Sequence, residues 1–158
     1  MLSRRIASFA LYAVTAFAPF AGCGNPPTLV GSWASTTTLG PTLQTEWSFK
    51  FTADNTFTLS LVTTNAATSG RGAGCVATVT TSGVYTAVEP TLTVTAQSGT
   101  AIYERCLNSA ENTASMPLSA ANLAMFSADF SGPFAVAGDQ LTVHTPASGV
   151  GPGVLTRQ

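Results

Sequence analysis

Alternation constrains this chain more than any other feature. From Glu46 to Leu61 apolar and polar residues change places one by one: Trp47, Phe49 and Phe51 against Glu46, Ser48 and Lys50, then Phe57, Leu59 and Leu61 against Thr56, Thr58 and Ser60. A period of two sends successive side chains to opposite faces of a strand, so each run has one face to bury and one to wet. Ala53-Asp54-Asn55 breaks the pattern with turn-forming residues, and the spacing predicts a β-hairpin over 44–63. Leu92 and Val94 alternate with Thr91, Thr93 and Thr95, and Leu141 and Val143 with Thr142 and His144. Threonine supplies much of the polar face because its branched carbon suits a strand while its hydroxyl accepts water. The pattern is that of antiparallel sheet with one wetted face.

One hairpin pattern occurs twice. Ser82-Gly83-Val84-Tyr85, leading into Leu92-Thr93-Val94, lines up 49 residues later with Ser131-Gly132-Pro133-Phe134, leading into Leu141-Thr142-Val143. Two copies are too few for a propeller or solenoid. With 29–37, 75–80, 100–106 and 154–157 added, the chain offers about nine strand candidates. Residues 117–126 (PLSAANLAMF) are Ala-rich, and Leu123, Phe126 and Phe130 fall at helical spacing, which predicts one short helix. Residues 65–74 and 107–116 are the two long loops. The expected fold is therefore all-β: a small antiparallel up-and-down barrel of about eight strands with one short helix. A sandwich is the alternative; a closed barrel has the advantage of removing the edges that a Thr-rich sheet would expose.

The start of the chain obeys a different rule. Arg4 and Arg5 precede an uncharged apolar run over 6–20, the order of a signal sequence, and the run is too short for a comfortable transmembrane helix of about 20 residues. It ends in Phe20-Ala21-Gly22-Cys23, which resembles the lipobox of bacterial lipoproteins. That resemblance implies cleavage before Cys23, acylation of its sulfur and amino group, a lipidated tether over 23–28 and a folded domain over 29–158. Two or three acyl chains make a stable anchor where one holds only marginally. Gly24 stands where an Asp would resemble an inner-membrane retention signal, so the expected location is the bacterial cell envelope, at the outer membrane.

Removing 1–22 takes Arg4 and Arg5 away, leaving 4 basic residues against 7 acidic ones, a net charge of −3. Such a domain has no electrostatic footprint for nucleic acid. With Cys23 acylated, Cys75 and Cys106 are left as a pair, and in an oxidising compartment a disulfide is the default reading.

The opening Leu29-Val30-Gly31-Ser32-Trp33, followed by Trp47-Ser48-Phe49-Lys50-Phe51-Thr52-Ala53-Asp54-Asn55-Thr56-Phe57, resembles that of bacterial lipocalin-like lipoprotein domains. The close, Phe134-Ala135-Val136-Ala137-Gly138-Asp139-Gln140-Leu141-Thr142-Val143 and then Leu155-Thr156-Arg157-Gln158, is similar to theirs as well. The resemblance implies a barrel whose base is closed by Trp33 packing with Arg157; the plainer alternatives are a core tryptophan and a solvated C-terminal charge. Asn55 stands where the family often has Gly, a substitution that a left-handed turn position tolerates.

Catalysis finds no support in the residues. His144 is the only histidine and shares a strand face with Thr142, the carboxylates have no patterned partners, and the glycines of 70–74 follow no phosphate-binding spacing. No catalytic residue, metal ligand or cofactor is therefore assigned. A barrel of this size is either filled by its own side chains or holds one small apolar ligand, and the sequence leaves both open. The candidate lining is Trp47, Phe49, Phe57, Tyr85 and Phe134. The expected partners are the membrane, through lipid on Cys23, and a small hydrophobic ligand. The alternative is a filled, non-enzymatic interaction module of the envelope.

Overall fold

In the computed structural model, the described residues are 28–67, 74–106, 115–144 and 151–158. The leader 1–22, Cys23 and all but the last residue of the tether lie outside them, as do most of the two long loops. Antiparallel strands β1 (Gly31–Leu39), β2 (Leu43–Phe51), β3 (Thr56–Asn65), β4 (Val76–Val88) and β5 (Thr91–Glu104) run as a meander. After them come β6 (Met116–Pro117), helix α1 (Ala120–Phe130), β7 (Gly132–Ala137), β8 (Gln140–Val143) and β9 (Val154–Arg157). Strand β9 pairs with β1 and β7 with β5, so eight strands close into an antiparallel up-and-down barrel with one short helix, compatible with a lipocalin-like fold. The two-residue β6 is added to the free edge of β5.

The sequence elements are longer and fewer than the alternation suggests. The segments 75–80 and 82–88 join into one strand, β4, and the following pieces into β5. What joins them is a bulge: Ser82 pairs with Ser98 and Gly83 with Ala96, leaving Gln97 as the extra residue. The inward positions of β5 therefore shift from Leu92, Val94 and Ala96 to Gly99, Ala101 and Tyr103. Gly83 is required there, because a Cβ at this point would run into the backbone carbonyl of Thr95. The helix begins three residues later than predicted. Pro117 is held in β6, and the Ser119 side chain caps the first turn by accepting the amide of Asn122 at 3.2 Å. Residues 29 and 30 precede β1 rather than belonging to it.

The alternation delivers one continuous core. Trp33, Phe49, Phe51, Phe57, Leu59, Tyr85, Leu92, Val94, Phe134, Leu141, Val143 and Leu155 come from all eight barrel strands and meet inside, with Phe130 entering from α1. The two hairpin copies contribute equivalent residues, Tyr85 with Phe134 and Leu92 with Leu141. Strand lengths are unequal: β1 to β5 have 9 to 14 residues, whereas β7, β8 and β9 have 6, 4 and 4. Among the described residues the ring is therefore complete at one end, the base, and the long strands rise beyond it into a curved wall at the other, the mouth.

Candidate functional site

At the base, Trp33 is fully buried and its indole Nε1 donates to the carbonyl of Leu29 at 2.8 Å. Register pairs Trp33 with Arg157, whose guanidinium carbon lies 4.2 Å from the centroid of the Trp33 ring. The same guanidinium donates through Nη1 to Val30 O at 3.0 Å and through Nη2 to Thr28 O at 2.8 Å, while Nε lies 3.6 Å from Asp139. Three successive carbonyls, 28 to 30, are thus each taken by a side chain from Trp33 or Arg157. Gly31 makes room for this: its φ is +142°, and a Cβ there would lie 2.6 Å from Arg157 Nη1. The pairing of Trp33 with Arg157 that the family resemblance implies is therefore present, with an N-terminal segment clasped to it.

Beside the base, the β2–β3 turn is built on Thr52, whose hydroxyl bonds the Asp54 carboxylate and the Thr56 carbonyl. Hydrogen bonding from Thr52 is the main cause holding the Asp54 carboxyl below its ordinary 3.8. Asn55 has φ +60°, the left-handed conformation expected at this position. Tyr85 reaches the turn from β4, its hydroxyl donating to Thr52 O at 2.8 Å; burial first, and the Asp54 charge second, raise its pKa above 10.0.

Above the base, cross-strand register arranges the inward side chains in rows. Trp33, Phe49, Leu59, Thr81 and Gly99 form one row; Ser35, Trp47, Leu61, Val79 and Ala101 the next; Thr37, Thr45, Thr63, Ala77 and Tyr103 the one above; and Leu39, Leu43 and Asn65 stand at the top. The lower rows are filled. Phe130 meets Phe49 edge-on at 5.1 Å and Trp47 at 5.7 Å, Phe51 meets Tyr85 at 5.0 Å, and Phe49 stacks on Phe51 at 5.9 Å. The Thr37 to Tyr103 row is rich in hydroxyls, and Leu39 and Leu43 stand above it. Thr37 accepts the Trp47 indole N–H at 3.1 Å, the Thr45 and Thr63 oxygens lie 3.3 Å apart, and no inward residue of the top two rows is charged. Cys75 and Cys106 form a disulfide at this end, tying the start of β4 to the residues after β5, with Cα atoms 4.3 Å apart.

The five aromatics named as candidate lining (Trp47, Phe49, Phe57, Tyr85 and Phe134) are all buried, between 2% and 6% exposed, and belong to the packed core. A groove of about 610 Å³ lies elsewhere, between α1 and β5, and is walled by small residues such as Ala96, Ala120, Ala124 and Ser127. Two residues beside it escaped sequence reasoning. Between its pairings with β7 and β6, the edge of β5 that faces away from β4 has no strand neighbour among the described residues, and the helix and its C-cap serve instead: Ser131 Oγ accepts Val94 N–H at 2.9 Å and Ser127 Oγ accepts Ala96 N–H at 2.9 Å. Their i, i+4 spacing on one helix face was the available signal. His144 is exposed at the end of β8, and among the described residues no three of His, Cys, Asp and Glu gather as a metal site would require.

No protein-family profile and no curated protein matches the chain.

Proposed function

We propose that this chain is a bacterial envelope lipoprotein, held to the membrane by lipid on Cys23, whose lipocalin-like barrel works without catalysis by binding a small hydrophobic ligand at its mouth. The observation that carries the reading is the inequality of strand lengths, which raises a wall of β1 to β5 beyond the closed ring. Inside that wall, the half-buried Leu61 and Val79 lie beneath the hydroxyls of Thr37, Thr63 and Tyr103, with Leu39 and Leu43 above them. Apolar surface with a few converging polar groups is what small-molecule sites are made of. Uncharged walls favour an uncharged ligand, since a buried charge without a partner is costly.

The packed aromatic core favours a second reading, a filled barrel that meets another protein through its loops. Native mass spectrometry of residues 24–158 purified from the host decides between the two. Ligand carriage predicts an added small-molecule mass and binding of an environment-sensitive apolar dye that quenches Trp47. A bare mass with no dye binding supports the filled module. Replacing Cys23→Ser should release the protein from membranes; a variant that stays bound sinks the anchor.

A further inference from the structure

We propose that the base of the barrel is the end that faces the lipid bilayer, with Arg157 as the clasp that fixes this orientation and turns the mouth toward water. The proposal rests on the lipid anchor at Cys23. From Cys23 to Thr28 the chain advances five residues, and at about 3.3–3.6 Å each they reach about 18 Å at most. Thr28 is not loose at the end of that reach. Its carbonyl is held by Arg157 Nη2, the carbonyl of Val30 by Arg157 Nη1 and that of Leu29 by Trp33 Nε1, and the Leu29 side chain is buried in the core. The tether therefore leaves the barrel from one fixed place, at the base.

The β2–β3 turn, the Glu89-Pro90 turn and the Gly138-Asp139 turn close the same end. The Leu39–Leu43 turn and the Cys75–Cys106 disulfide lie at the other. The 9 residues of β1 separate the two ends; that is about 30 Å along the strand, or 20–25 Å along the axis at the usual tilt of a barrel strand. A tether shorter than the barrel, fixed at the base, keeps the base near the headgroups. Val88, 77% exposed at the tip of β4, and Val30 present apolar side chains there. Charge does not provide the attraction: at this end Asp54, Glu89 and Asp139 outnumber Lys50 and Arg157, and the Arg157 guanidinium is engaged with Asp139 and with the carbonyls of Thr28 and Val30. The orientation is mechanical, and ligand exchange at the mouth takes place with the aqueous phase.

The test uses the full lipidated chain in vesicles of phosphatidylethanolamine and phosphatidylglycerol, with a fluorophore at residue 53 (base) or residue 41 (mouth), the native cysteines remaining acylated or in disulfide. Energy transfer to headgroup-labelled acceptor lipid should be several-fold stronger from position 53 and insensitive to added salt. Arg157→Gln should shrink the difference. So should a ten-residue Gly-Ser insertion between Asn25 and Pro26, which leaves the folded domain untouched. Equal transfer from both positions in the parent chain, or stronger transfer from position 41, overturns the proposal while leaving the anchor intact. A chain without the acyl mass, or one that does not float with vesicles, overturns the anchor and this proposal with it.

Discussion

Arg157 ties several parts of the base together, because one guanidinium serves an indole face, two carbonyls and a carboxylate. It is about a third exposed, so solvent reduces what the Asp139 pair contributes, and the cation–π contact, about 0.5–2 kcal/mol, is the larger part. Arg157→Ala should lower unfolding free energy by about 1–2 kcal/mol in urea titration, and Arg157→Lys should recover little, since an ammonium cannot hold both carbonyls in one plane. Thr81 has the opposite character. It is 1% exposed and its hydroxyl has no hydrogen-bond partner among the described residues. Thr81→Val, which keeps the shape and removes the unpaired hydroxyl, should raise stability by about 1 kcal/mol; a loss of that size would show that the hydroxyl is satisfied. Asp54 and Tyr85 set pH dependence at the base from opposite sides. The lowered Asp54 value contributes stability that is present above its unfolded pKa and lost as pH falls through the folded one. The raised Tyr85 value contributes stability that is present below 10.0 and lost as pH climbs through the folded value. Tyr85→Phe should flatten the alkaline limb of a urea-midpoint profile and leave the acid limb unchanged.

Among the elements, α1 decides whether the barrel is sealed. Strand β5 pairs with β7 only at Thr91 and Leu92 and with β6 only at Thr100 and Ala101, and the helix covers what lies between. Ser127→Ala and Ser131→Ala should each cost about 1–3 kcal/mol, because each strands a strand amide away from a partner. Hydrogen exchange should report it locally, with the Ala96 amide faster in the first variant and the Val94 amide faster in the second. Phe130→Ala should cost about 3–5 kcal/mol, since the ring sits against both Trp47 and Phe49. The existence of this helix was legible from the spacing of Leu123, Phe126 and Phe130. Its start was not, because Pro117 and Leu118 are drawn into extended structure by Gly99 and Thr100, which are distant in sequence. Strand β5 reads as two pieces for a related reason: a bulge shifts its inward positions from even to odd, and period-two reading stops where the phase changes; β4 keeps its phase, but Thr81 and Gly83 at its inward positions give no apolar signal.

For the molecule as a whole, the Cys75–Cys106 disulfide is a covalent tie in the wall above the ring. It closes a loop of 31 residues, for which chain entropy gives about 3.5–4 kcal/mol. Reduction, or Cys75→Ala with Cys106→Ala, should lower the urea midpoint accordingly, and alkylation of the oxidised folded domain should find no reactive thiol. The local alphabet of the fold was determined by the sequence alone. Alternation named the strands and their buried faces, turn residues named the hairpins, and the paired cysteines named their bond, because each depends on neighbours in the chain or on simple counting. Closure was decided only in the tertiary structure. Which strand meets which across the seam, that serines on a helix complete a strand edge, that the aromatics pack ring to ring instead of standing around a space, and that Arg157 grips the carbonyls of residues more than 120 positions earlier all follow from packing between distant segments. Periodicity records which face of a strand is apolar; the volume that face must fill is set only when all eight strands are in place.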